Sequence, residues 1–94
     1  MRITYAPIFK RVLKKTSKQF QDEARKQVSL ICDNPTIGVQ KKGDLSGIHV
    51  HKYKFNNQQV LIAYAFCPES RHLILLGSHE NFYRDLKKGN SGGS

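Results

Sequence analysis

The chain has 94 residues, 38% of them hydrophobic, which suits one folded domain with a single modest core and excludes two. Sixteen Lys and Arg against seven Asp and Glu leave a formal charge of +9. A surplus that large favours a polyanionic partner, nucleic acid first, with an anionic membrane surface or an acidic masking protein as the other takers. No apolar run approaches the length of a membrane span and no signal-peptide pattern opens the chain, so a soluble, cytoplasmic protein without membrane contact is expected. Cys32 and Cys67 stand alone in apolar surroundings, which predicts reduced structural thiols rather than a metal site or a disulfide framework.

Met1 to Tyr5 alternates and carries β-branched residues, which predicts a short strand. Pro7 suits the first turn of a helix, where its missing amide costs nothing. Ile8, Phe9, Val12 and Leu13 recur at helical spacing, with Lys10, Arg11, Lys14 and Lys15 filling the other face. Thr16-Ser17-Lys18-Gln19 fits a capping box, so a second helix is expected to start there. Its stripe is Phe20, Ala24, Val28 and Ile31, and Asn34-Pro35 ends it, because the residue before a proline avoids helical angles. Thr36 to Gly47 reads as a basic loop with Leu45 as its one apolar plug.

Strand signals return at Ile48 to Phe55, with His51, Tyr53 and Phe55 on one side and Val50, Lys52 and Lys54 on the other. Asn56-Asn57 makes a turn, since Asn tolerates positive φ. Val60 to Phe66 is almost continuously apolar, which predicts a strand buried on both faces. Pro68-Glu69-Ser70 turns the chain into a third strand, His72 to Leu76. Gly77 to Lys88 then reads as a strand end entering a short helix, capped by Ser78 and closed by Gly89. Phe82 and Leu86 share one face of it, His79 and Tyr83 a neighbouring one, and Glu80 and Arg84 pair across a turn. Residues 89–94 hold only Gly, Asn and Ser and are set apart as a disordered tail.

These elements predict an α+β fold of two layers, an N-terminal helix hairpin packed on a mainly antiparallel four-stranded sheet with a short C-terminal helix. The sheet face away from the hairpin is expected to be polar, with Lys52 and Lys54 breaking the apolar pattern there. His49 and His51 alternate like a metal pair, but no third ligand stands at a useful spacing, so no metal or other cofactor is expected.

The order of elements, the segment Lys42-Gly43-Asp44-Leu45-Ser46-Gly47, the strand Leu61-Ile62-Ala63-Tyr64 and the ending Leu76-Gly77-Ser78-His79-Glu80-Asn81-Phe82-Tyr83-Arg84-Asp85-Leu86-Lys87 resemble the RelE/ParE superfamily of bacterial toxins. The likeness spans residues 1–88, and it implies a toxin held inactive by an antitoxin from the same operon, with a higher-order toxin–antitoxin assembly left open. The RelE branch cuts messenger RNA in the ribosomal decoding site; the ParE branch poisons DNA gyrase and lacks the catalytic residues. Lys52-Tyr53-Lys54 falls where the RelE branch carries lysines on its second sheet strand. Leu61 takes the place of an arginine, and His79 and Tyr83 stand near where an arginine and a tyrosine are expected, with Asp85 as the other match to the tyrosine.

Cutting RNA without a metal requires a base for the 2′-hydroxyl, charge stabilisation at phosphorus, and a proton for the leaving 5′-oxygen. His79 can take and give a proton near neutral pH and is assigned acid or base duty. Tyr83 orients it, stacks on a base, or serves as the second proton carrier. Lys52 and Lys54 hold the scissile phosphate. Substrate contacts are expected from the row Lys10, Arg11, Lys14, Lys15 and Lys18 on the ribosomal RNA backbone, and from His51, Glu80 and Arg84. Two other classes stay open: a gyrase-poisoning binding protein, and a nontoxic nucleic-acid or protein-binding module.

Overall fold

The structure is a computed structural model that describes residues 2–78 and residue 82, Asp44 by its backbone alone. Strand β1 (Arg2–Tyr5) leads into helices α1 (Pro7–Lys14) and α2 (Lys18–Asp33). A 3-10 turn (Pro35–Ile37), the two-residue strand β2 (Val39–Gln40) and a second 3-10 turn (Gly43–Leu45) follow. Strands β3 (His49–Phe55), β4 (Gln58–Cys67) and β5 (Ser70–Ser78) complete the sheet, whose spatial order is β1-β5-β4-β3-β2.

The sheet therefore has five strands and is mixed, where four mainly antiparallel ones were expected. β3, β4 and β5 form the expected antiparallel meander, but β1 lies parallel to β5, with Arg2 opposite Ser70 and Tyr5 opposite Leu73. Periodicity reports which side chains share a face and is silent on strand direction. β2 escaped notice because two residues cannot show a period. It pairs Val39 with Val50 and Gln40 with His49 inside the segment read as loop.

Pro7 opens α1 as expected, after Ala6 in extended backbone. The entry to α2 differs in detail: Ser17, not Thr16, is the cap, its hydroxyl accepting from the Phe20 amide at 3.2 Å. Thr16 is committed to the preceding helix, donating to the Leu13 carbonyl at 2.6 Å. Gln21 rather than Gln19 reaches back, its amide donating to the carbonyls of Leu13 at 3.0 Å and Thr16 at 3.1 Å. These bonds satisfy carbonyls left open where α1 ends and tie the helices together. Asn34 leaves helical angles before Pro35, and Asn56 and Asn57 take φ of 50° and 66° in the β3–β4 turn.

One core lies between helices and sheet: Phe9 from α1, Ala24, Val28 and Ile31 from α2, and Val60, Ile62, Tyr64, Leu73 and Leu76 from β4 and β5. The opposite face carries a second apolar cluster of Leu45, Ile48, Val50, Leu61, Ala63, Leu75 and Phe82, which corrects the expectation of a polar face. β4 serves both clusters, which accounts for its unbroken apolar run. The β4–β5 register shifts where Ala63 lies opposite Leu75 and Tyr64 opposite Leu73, so Leu73 and Leu76 face the helices while Leu75 faces away. Of the C-terminal helix expected after Ser78, only Phe82 falls within the described residues, where it is helical and buried. The rest of that helix and the tail at 89–94 lie outside them.

Two polar contacts fasten the ends of this framework. The Tyr64 hydroxyl donates to the Pro35 carbonyl and accepts from the Gly38 amide at 3.0 Å. A Cβ on Gly38 would stand 2.5 Å from that oxygen, which is why the turn carries a glycine. Buried Arg71 donates to the carbonyls of Cys67 (2.7 Å), Ser70 (2.9 Å) and Cys32 (3.2 Å), joining the end of α2 to the β4–β5 turn. Both cysteines are free. Cys32 is half-buried as expected, whereas Cys67 is exposed at the strand end, its sulfur 2.9 Å from the Ser70 hydroxyl.

Candidate active site

Strand β3 sorts its side chains as the alternation predicts. His49, His51, Tyr53 and Phe55 face the helix layer; Val50, Lys52 and Lys54 face away. Lys52 stands opposite Leu61 and Lys54 opposite Gln59, both lysines exposed. Two residues apart on one face, their backbones are about 7 Å from each other, a spacing from which two flexible ammonium groups reach one phosphate.

Across the sheet from Lys52 come Leu61 on β4 and then Gly77 on β5. Two strand spacings, about 10 Å, therefore separate the Lys52 backbone from the end of β5. Phe82 is buried in the same cluster as Leu61 and Val50, with its ring 3.6 Å from where a Cβ on Gly77 would lie. The face that carries the lysine pair thus also receives the only aromatic anchor described beyond β5. Leu61, where the resemblance implied an arginine, is fully buried in that cluster and carries no charge to the surface. His79, Glu80, Tyr83 and Arg84 lie outside the described residues.

The remaining candidates sit elsewhere. Lys10, Arg11, Lys14, Lys15 and Lys18 are all exposed, but on the helix layer, across the sheet from Lys52 and Lys54. His51, expected among the substrate contacts, is turned toward α2. Its Nε2 lies 2.8 Å from the Gln27 Oε1, and the Gln27 amide donates to Glu23 at 2.7 Å. With Gln27 oriented by Glu23, the His51 Nε2 must carry the proton, and burial lowers the ring's pKa, so the neutral form is favoured. Its neighbour Tyr53 is pushed up to about 12 by burial and by the Glu23 carboxylate. His49 is packed between Tyr64 and Phe66, with ring centroids at 5.7 and 4.8 Å. Among the described residues no three His, Cys, Asp or Glu side chains gather as metal ligands would, and no helix is long and apolar enough to cross a membrane.

A feature the sequence reading missed is a groove of about 270 Å³ between α1, α2 and the end of β1, lined by Tyr5, Phe9, Lys10, Leu13, Ala24, Arg25 and Val28. The small Ala24 in an otherwise bulky stripe was its one signal.

The family profile described as the ParE-like toxin of type II bacterial toxin-antitoxin systems matches residues 3–87. The chain belongs to this family. Its fold is shared with three solved E. coli structures. The intact RelBE toxin–antitoxin complex matches at a TM-score of 0.66 and 15% identity, over 84% of this chain and 96% of that one. A RelE mutant lacking two arginines, in the free state, matches at 0.71 and 12%, over 92% and 90%. Isolated RelE matches at 0.65 and 15%, over 93% and 95%. No curated protein matches the chain. The protein is therefore a type II toxin of the RelE/ParE superfamily.

Proposed function

We propose that this toxin is a ribosome-dependent endoribonuclease that cuts messenger RNA without a metal and is held inactive by a cognate antitoxin. The observation that supports this most is the placement of Lys52 and Lys54 on the sheet face that Phe82 also anchors. His79 and Tyr83 flank that phenylalanine in the sequence. In this reading His79 takes the proton of the 2′-hydroxyl, whose oxygen attacks the adjacent phosphorus. Lys52 and Lys54 offset the charge that builds on the non-bridging oxygens. The 5′-oxygen leaves with a proton from Tyr83 or from the imidazolium, giving a 2′,3′-cyclic phosphate and a 5′-hydroxyl. With Leu61 in place of an arginine, the two lysines carry all the positive charge that β3 and β4 offer at this face. The basic row on α1 and at the start of α2 contacts ribosomal RNA through phosphates, on the far side of the sheet.

A second reading, a gyrase poison without nuclease activity, is favoured by the ParE-like profile and by that same leucine. Single variants separate the two. Lys52→Ala or His79→Ala is expected to abolish growth arrest while antitoxin binding survives. Both variants arresting growth as the parent does would rule the nuclease assignment out, and inhibited DNA supercoiling with translation intact would establish the second reading.

A further inference from the structure

The two open edges of the sheet are unlike. β2 is two residues long, too short to template a neighbouring strand. β1 is four residues long and exposed throughout, an edge of about 13 Å. Its backbone groups divide by residue. The amides of Arg2 and Ala6 donate to the carbonyls of Glu69 and Leu73 at 3.0 and 2.8 Å, so residues 2, 4 and 6 turn toward β5. The residues between them turn the other way, and the N–H and C=O of Ile3 and Tyr5 therefore face the open side.

The side chains of these two residues are bare as well. Tyr5 lies on the helix side, its ring 5.5 Å from that of Phe9, and Ile3, two residues earlier, shares that face. Ile3 is 43% exposed and Tyr5 37%. Natural sheet edges are usually blunted by lysine, proline, a bulge or an inward charge. Between Ile3 and Tyr5 stands only Thr4, on the opposite face, its hydroxyl 2.6 Å from Nδ1 of His72.

These features fit one another when β1 meets a copy of itself. In an antiparallel pair centred on Thr4, Ile3 lies opposite Tyr5 of the second copy, and Tyr5 opposite its Ile3. Both are hydrogen-bonded positions, because the outward backbone groups belong to these residues, and each pair exchanges two N–H···O bonds. Ile and Tyr become cross-strand neighbours on the helix side, a favourable β-branched and aromatic pairing that the two-fold axis makes twice.

We infer that the free toxin forms a two-fold dimer through β1, joining the sheets of two copies into one continuous sheet. Neither Lys52, Lys54 nor the basic row on α1 enters the contact, so the dimer is independent of what the toxin attacks. Four residues a side, against the roughly 20–30 of a standard interface, make it weak, and a charge of +9 on each chain makes it salt-dependent.

Sedimentation equilibrium of the full chain is expected to show monomer and dimer with a dissociation constant of about 10–100 μM at about 0.5 M salt, and weaker association at about 0.05 M. Ile3→Pro removes an outward N–H and leaves the ladder to β5 intact, so it should weaken the dimer by about tenfold or more. Ile3→Lys keeps every backbone N–H, should weaken the dimer as much by placing a charge on the edge, and decides the question should Ile3→Pro perturb the fold. Ile3→Val should associate as the parent does. Hydrogen exchange at the Ile3 and Tyr5 amides should slow as the concentration rises. A chain that stays monomeric to about 1 mM, or a dimer that Ile3→Lys leaves unchanged, would overturn the inference. Protection of those two amides only when the antitoxin is present would overturn it too, by giving the edge to that partner.

Discussion

On the helix side of β4, Val60, Ile62 and Tyr64 meet Phe9, Ala24, Val28 and Ile31, delivered by two helices. One residue along, on the other side, Leu61 and Ala63 meet Leu45 and Phe82, single side chains from a turn and from beyond β5. The first arrangement covers its face with continuous secondary structure. The second covers the middle of the sheet and leaves the distal half of β3 bare, so that Lys52 and Lys54 stay in water beside an apolar surface. Both faces of β4 are packed, and on the second Lys52 and Lys54 stand exposed beside the cluster.

If both faces are true cores, neighbouring residues of β4 should cost alike when truncated. Ile62→Ala and Leu61→Ala, each removing a fully buried side chain, are expected to destabilise by about 2–5 kcal/mol in urea titrations. A cost below about 1 kcal/mol for Leu61→Ala would mean that the second cluster is only a surface patch. Tyr64→Phe should cost about 1–3 kcal/mol, because it leaves the Pro35 carbonyl and the Gly38 amide without their partner. Burial raises the Tyr64 pKa, so the hydroxyl remains a donor and this cost should not vary across neutral pH.

The smallest expected effect sharpens the contrast between the two sides of β3. Burial holds the folded-state pKa of His51 below its ordinary 6.5, so the unfolded chain takes up that proton first. The stability that neutral His51 contributes is therefore complete above about pH 6.5 and is lost as pH falls from there through the folded pKa. His51→Gln should flatten the urea midpoint between about pH 7.5 and about pH 5.5. An unchanged slope would show that the ring is solvated and free to face a substrate.

The helical layer was legible because its signals are local, the stripe from Phe20 to Ile31 and Pro7 at a helix start, and Asn56-Asn57 marked the β3–β4 turn in the same way. The alternation in β3 likewise separated Lys52 and Lys54 from His51 before any coordinates. What stayed hidden depends on contacts distant in sequence. Leu45 was recognised as a plug but not what it plugs, since Leu61 and Phe82 lie far along the chain. The parallel β1–β5 pair, the Arg71 staple and the glycine at position 38 beside Tyr64 are likewise invisible to any local pattern. The hydrogen bond of His51 to Gln27, 24 positions away on α2, also carries no local signal.

The most direct test of the nuclease reading is the mapping of mRNA 5′ ends after induced expression, with translation running and with it blocked. The account predicts new ends confined to translated reading frames, lost when translation is blocked and lost in the Lys52→Ala/Lys54→Ala variant, whose stability should stay within about 0.5 kcal/mol of the parent. Growth arrest with no new ends, or ends that persist unchanged in the double variant, would contradict it.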